Sequence, residues 1–390
     1  MDLGGCEMSG DERIKGKVRE AAQAGASTGA QTKVQTGAQS LSFVNAPFLS
    51  CAASVTGKKE GEGPLGRLFD HVSGDDLFGE NTWEAAESAM QKLACSLTLQ
   101  KAGRKASEIR YLFGGDLLRQ GTATSQGVEG FDIPMFGLYG ACSTAGEALA
   151  LAAMSVAAGY GERMLAVTSS HFGSAEKEFR FPLGYANQRP LSAHWTVTGS
   201  GAFLVTAGAE QSVNIPGDAG TGQRAATPGQ VKISGVTVGK IVDFGLKDSQ
   251  NMGACMAPAA CDTILQNFRD FGRGPEDYTR IITGDLGYIG QSILFDLMQD
   301  NGYDIRGNHL DCGMLIFDQE TQDTHSGGSG CGCAAVTLAS YIHPKLRDGE
   351  WERVLFVPTG ALLSTVIYNE GASVPGIAHA IILEHAVPGR

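Results

Sequence analysis

The chain has 390 residues, 54 of them glycine, a formal net charge of −12 and nine cysteines. That length buries a large core, as two domains or two fused halves, and the acidic balance argues against nucleic acid and against direct attachment to anionic lipid. An odd, scattered cysteine count fits a reducing compartment, and the close pair Cys331-x-Cys333 is too tight for a zinc knuckle, so no metal site is expected.

Residues 1–40 are rich in Gly, Ala, Gln, Thr and Ser with mixed charges, which predicts a disordered tail, with a transient polar helix over 14–24. Asp2, Glu7, Asp11 and Glu12 interrupt any apolar core there, so no signal peptide is expected. The longest near-continuous apolar stretch, Ala148 to Ala158, is too short to span a bilayer, which points to a soluble, intracellular or at most peripheral protein.

Folding is expected to start with a strand at Leu41–Val44, followed by a charged glycine loop over Thr56–Gly66. Thr82 is placed to cap a helix whose Ala85, Ala86, Ala89, Met90, Leu93 and Leu97 recur at helical spacing. Strands follow at Ile109–Phe113, ending in Gly114-Gly115-Asp116, and at Ile133–Phe136. The next turn, Gly137 to Gly146, carries Cys142 to the start of an Ala-rich helix, where backbone N–H groups and the helix dipole favour a thiolate. Arg163–Thr168 reads as a strand ending at Ser169-Ser170-His171, and Gly201–Thr206 as another.

The second half repeats this order. Val231–Val242 is β-rich, Ala259–Phe271 helical, and Arg280–Thr283 a strand ending in Gly284-Asp285-Leu286, an echo of Gly115-Asp116-Leu117. A helix over Gly290–Met298 precedes the turn Gly327–Cys333, which stands where the Cys142 turn stands in the first half. Arg353–Gly360 answers Arg163–Ser169, and Ala378–Leu383 answers Gly201–Thr206. A duplicated βα pattern implies two pseudo-symmetric halves, assigned here to 41–229 and 230–390, with parallel sheets between helices. Ligands of such sheets bind beyond the carboxyl ends of strands, where Asp116, Cys142, Ser170, His171, Asp285 and the Gly327–Cys333 loop all fall.

The duplicated βαβαβαββ unit with a cysteine elbow resembles the thiolase-like superfamily, whose fold is a layered α-β-α-β-α sandwich shared with ketoacyl synthases. Within it the chain resembles the stage V sporulation protein AD family of endospore-forming bacteria. The residues that carry the match are Glu62–Gly66, Ala141–Thr144, Thr168–His171, Thr196–Gly201, Met256–Ala260, Gly284–Leu286, Gly327–Cys333 and Thr359–Ser364. The resemblance implies a soluble member of the SpoVA apparatus, which moves dipicolinic acid into the forespore, located peripherally at the inner spore membrane beside the other SpoVA membrane proteins. It also implies dipicolinate binding and a homodimer formed near the elbow.

Thiolase-like enzymes pair the cysteine with a base and an oxyanion partner from the second half. The first of those positions holds Asp285, and a carboxylate beside a cysteine disfavours the thiolate and repels a developing oxyanion. His325, just upstream of the second glycine turn, is the remaining candidate partner, so an acyltransferase would rest on Cys142 and His325. The expected reading is instead a binding protein without a cofactor, using Asp116, Cys142, Ser170, His171, Asp285, Gly328 and Ser329. Dipicolinate, a planar pyridine with two carboxylates, requires an apolar slot and N–H or O–H donors, which helix N-termini supply. Asp116 and Asp285 suit either a protonated site or a Ca²⁺ chelate of the ligand, the Ca²⁺ arriving with it. The alternative for both acids is local capping of the following backbone. His194, His309, His343, His379 and His385 are read as surface or structural.

Overall fold

A computed structural model describes residues 34–179, 188–210 and 229–387 of the protein. Ten strands carry the architecture. In chain order the first half contributes β1 (Phe48–Thr56), β2 (Tyr111–Gly115), β3 (Met135–Gly137), β4 (Arg163–Ser170) and β5 (Gly199–Thr206). The second contributes β6 (Gln230–Thr237), β7 (Arg280–Thr283), β8 (His309–Asp311), β9 (Arg353–Val357) and β10 (Ala380–Ala386). Their spatial order is β8-β7-β9-β10-β6-β1-β5-β4-β2-β3, so each half has the same 3-2-4-5-1 arrangement and the two meet at β6 and β1. In each half the fifth strand runs antiparallel to its neighbours while the second, third and fourth are parallel. The duplication read in the sequence is a duplication of topology.

The helices that matter for the site are α1 (Trp83–Ala102), α2 (Thr144–Ala157), α3 (Phe172–Phe179), α4 (Met252–Phe271), α5 (Gly287–Asp300) and α6 (Cys331–Thr337). The Thr82 hydroxyl accepts from Ala85 N–H and starts α1, and Gly103 ends it in the left-handed region that a residue without Cβ adopts freely. α1 packs on β1, β4 and β5, and α4 lies with α5 on the second half. Between the halves, α2 packs on β2, β4 and β5 and reaches β10, whereas α6 presses on β5, β4 and β1. This gives the five layers of a thiolase fold. Small residues are what let α6 approach: a Cβ on Gly201 would lie 2.7 Å from the Ala335 Cβ.

Several expectations shift. The tail expected over residues 1–40 overlaps ordered structure from residue 34 onward. Gln35–Thr36 pairs with Ser40–Ser42, that short ribbon joins β6, and Asp270 on α4 accepts Ala38 N–H at 2.9 Å and Gln39 N–H at 3.0 Å. Residues 1–33, including the helix expected over 14–24, lie outside the described residues. α4 starts at Met252, seven residues before its predicted start, and accommodates Pro258 within it. The loop after β1 contains a short helix, Lys58–Gly61.

Candidate functional site: the Cys142 elbow

Cys142 sits on a sharp turn between β3 and α2. Ala141 takes φ +49°, a conformation rarely adopted by a residue with a Cβ. The Ser143 hydroxyl donates to Gly140 C=O at 2.6 Å, and that of Thr144 donates to Ala141 C=O at 2.6 Å. Gly360 packs against this turn so closely that a Cβ on it would lie 2.4 Å from Gly140 O. The elbow is therefore held from both halves.

Asp285 and Ser329 reach it from the second half. A two-stranded parallel ribbon, Trp195–Thr196 with Gly328–Ser329, fixes the Ser329 backbone. The Ser329 hydroxyl donates to Asp285 Oδ2 at 2.7 Å and stands 3.7 Å from Cys142 Sγ. Gly330 N–H donates to the same carboxylate oxygen at 2.9 Å, and the Thr359 hydroxyl donates to Oδ1 at 2.7 Å. Asp311 in turn accepts Leu286 N–H and Gly287 N–H, at 2.9 and 3.1 Å, and so fixes the loop that bears Asp285. Burial raises the Asp311 carboxyl to about 6.

Burial, followed by the Asp285 carboxylate, pushes the Cys142 thiol well above its ordinary value. The helix N-terminus, expected from the sequence to favour a thiolate, is outweighed by these two effects. Cys142 is 6 % exposed and faces a cavity with about 30 Å³ of free volume, room for one or two waters. Leu117, Phe179 and Leu363 give the cavity apolar walls, and Tyr139 lines it while remaining half exposed. Glu176, His194 and Thr196 are polar lining residues.

The other expected site residues are placed elsewhere. Asp116 takes the local alternative: it accepts Leu118 N–H at 2.8 Å and both N–H and hydroxyl of Thr124, at 2.8 and 2.6 Å, and does not line the cavity. The Ser170 hydroxyl donates to Val197 C=O at 2.7 Å and accepts Gly332 N–H, so it ties β4 to the start of α6. His171 accepts Gly173 N–H at Nδ1, which leaves Nε2–H to donate to Asp76 C=O at 2.8 Å. Burial lowers its pKa, and its neutral ring packs 5.4 Å from Trp83. Gly328 leaves space for Ile316, which a Cβ would meet at 2.7 Å. His325 does not line the cavity. Its ring bonds Pro190 C=O and Asp323, at 2.9 and 3.1 Å, so the proposed Cys142–His325 pairing is not formed.

Residues missed by sequence reasoning are Glu176, His194, Thr196 and Thr359. His194 is 4 % exposed and donates from Nε2 to Leu286 C=O at 3.1 Å, while Glu176 accepts the Thr196 hydroxyl at 2.8 Å. The signal was available as alternation in His194-Trp195-Thr196, whose first and third side chains share a face. Among the described residues, no group of three or more His, Cys, Asp or Glu side chains is placed to hold a metal ion.

The family model for stage V sporulation protein AD matches residues 37–384. The chain belongs to that family. Stage V sporulation protein AD of Bacillus subtilis (strain 168) is 39% identical over 351 residues, covering 90% of this chain and 98% of the relative. Among solved structures, AbyA1, a tetronic acid condensing enzyme, superposes with a TM-score of 0.52 at 16% identity, over 87% of this chain and 99% of its own. Cerulenin-bound OleA of Xanthomonas campestris gives 0.50 at 13% identity, over 88% and 97%. These likenesses give the thiolase fold. Family membership gives a sporulation protein, and no described helix is long and apolar enough to cross a membrane.

Proposed function

We propose that this sporulation protein binds dipicolinic acid in the Cys142 cavity, free or as its Ca²⁺ chelate, and passes it to membrane proteins of the SpoVA apparatus at the inner spore membrane. The observation that carries the reading is the contact chain Cys142–Ser329–Asp285. Where a condensing enzyme needs a base and an oxyanion donor, this chain presents a carboxylate already occupied by three donors. Such an arrangement disfavours acylation of the cysteine and so supports a binding role over a condensing one. The free volume of about 30 Å³ is smaller than a pyridine dicarboxylate, so binding requires the cavity lined by Tyr139, Phe179 and Leu363 to widen. The exposed third strand of the first half, with Met135 and Phe136 at the sheet edge, is the surface through which a homodimer would form.

Calorimetric titration of the purified protein with dipicolinate, with and without Ca²⁺, tests this directly. Saturable binding in at least one condition is expected, weakened only modestly by Cys142→Ala. No saturable binding in either condition rejects the proposal. A stable acyl adduct on Cys142 after incubation with acyl-CoA, read by mass, replaces it with an acyltransferase.

A further inference from the structure

Hydrogen-bond direction at the elbow constrains the chemistry of Cys142 more tightly than its position does. The two oxygens of Asp285 receive three donors: the Thr359 hydroxyl on Oδ1, and the Ser329 hydroxyl and Gly330 N–H on Oδ2. Thr359 also accepts Asp285 N–H at 3.2 Å, which leaves its own hydrogen for the carboxylate. A carboxylate is acceptor-only when ionised, so this set of donors matches the charged form.

A serine hydroxyl has one hydrogen, and that of Ser329 is committed to Asp285. What Ser329 turns toward Cys142 Sγ, 3.7 Å away, is therefore a lone pair. The hydrogen in that contact belongs to the thiol. A thiolate in the same place would face the Asp285 charge, and Ser329 could donate to it only by giving up its bond to Asp285. We infer that the Ser329–Asp285 pair holds Cys142 as a hydrogen-bond-donating thiol, so that the elbow is a chemically silent wall whose reactivity returns when the Asp285 carboxylate is removed. Asp285 and Ser329 are on this view positioning residues for a sulfur. The inference is independent of which ligand the cavity takes.

Asp285→Asn removes the charge at constant shape. Gly330 N–H requires an acceptor at the Oδ2 position, so the amide oxygen stays there, the Ser329 hydroxyl keeps its direction and only the charge is lost, which favours the thiolate.

The test uses the full-length, ligand-free protein and iodoacetamide, whose carbon is attacked by thiolate with loss of iodide. Peptide mass spectrometry follows Cys142, with buried Cys51 on β1 and Cys95 on α1, away from Asp285, as internal gauges of loosening. At about pH 7.5, Asp285→Asn is expected to raise the Cys142 labelling rate on the order of tenfold or more, since a fall of one in pKa multiplies the thiolate fraction tenfold. Ser329→Ala, which keeps the carboxylate and removes only the acceptor of the thiol hydrogen, is expected to raise the rate less than Asp285→Asn does. An unchanged rate in Asp285→Asn overturns the inference, as does an equal rise at Cys51 and Cys95, or an equal rise in Ser329→Ala. Should Asp285→Asn not fold, the wild-type pH profile decides. Labelling of Cys142 should still climb with pH beyond about 9, and a plateau below that value overturns the inference.

Discussion

Glu60 offers a sharp quantitative test of how the site is supported. It is 1 % exposed on the short helix after β1, and its Oε1 accepts Thr198 N–H at 2.9 Å. The Thr198 hydroxyl then accepts Phe172 N–H at 3.1 Å, at the start of α3, the helix that brings Glu176 and Phe179 to the cavity. Burial raises the Glu60 carboxyl from 4.5 to about 7. Ionising it in the fold therefore costs about 3 kcal/mol more than in the unfolded chain. For a raised acid the unfolded chain binds fewer protons, so this contribution is fully present below the unfolded pKa and is lost as pH rises toward 7. Glu60→Gln keeps an oxygen for Thr198 N–H and removes the ionisation. Denaturant unfolding should place the variant close to wild type at about pH 5 and about 2–3 kcal/mol further ahead at about pH 8. If the two stability curves run parallel across that range, the ionisation argument is wrong.

Three more outcomes are expected. His343, buried with Nε2–H on Leu49 C=O, has its pKa lowered to about 4 by burial, so its contribution is lost as pH falls from 6.5 toward 4. His343→Gln should flatten acid unfolding over that window by about 3 kcal/mol, measured by denaturant titration at several pH values. Asp116→Ala strands two N–H groups and a hydroxyl in a fully buried place and should lower stability by roughly 3–6 kcal/mol. Dipicolinate affinity of the folded fraction should be unaltered in it, and a large loss of affinity would put Asp116 back in the site. Gly360→Ala drives a methyl into Gly140 O and Ser143 N, which it would meet at 2.4 and 2.9 Å, so the elbow has to move. A loss of about 1–3 kcal/mol together with weaker ligand binding is expected, while an unchanged melting temperature would show that the two halves do not clamp the turn.

Ser329 shows how a residue can be placed at the elbow for an incomplete reason. The glycine turn was read as a source of N–H donors for a ligand, yet Gly330 N–H and the Ser329 hydroxyl are both directed at Asp285. His325 shows the reverse error. Its place just before the glycines suggested a partner for Cys142, but Ser326 N–H bonds Ala193 C=O and the His325 ring bonds Pro190 and Asp323. A shift of four residues along this loop separates the cavity from its outer side.

Periodicity and repetition in the sequence determined the duplicated fold, the cysteine elbow and the acids at the two matching strand ends, because alternation, helical spacing and turn glycines are local properties. Asp116 and Asp285 mark where that information stops. They stand in the matching triplets Gly115-Asp116-Leu117 and Gly284-Asp285-Leu286. Asp116 satisfies itself within its own loop, on Leu118 and Thr124. Asp285 instead bonds Ser329 and Thr359, 44 and 74 residues away. Only the packing of α6 and the segment after β9 around the elbow decided which acid faces the cysteine. Hydrogen-bond partners depend on distance and direction in the folded chain, and the two triplets carry no sign of either.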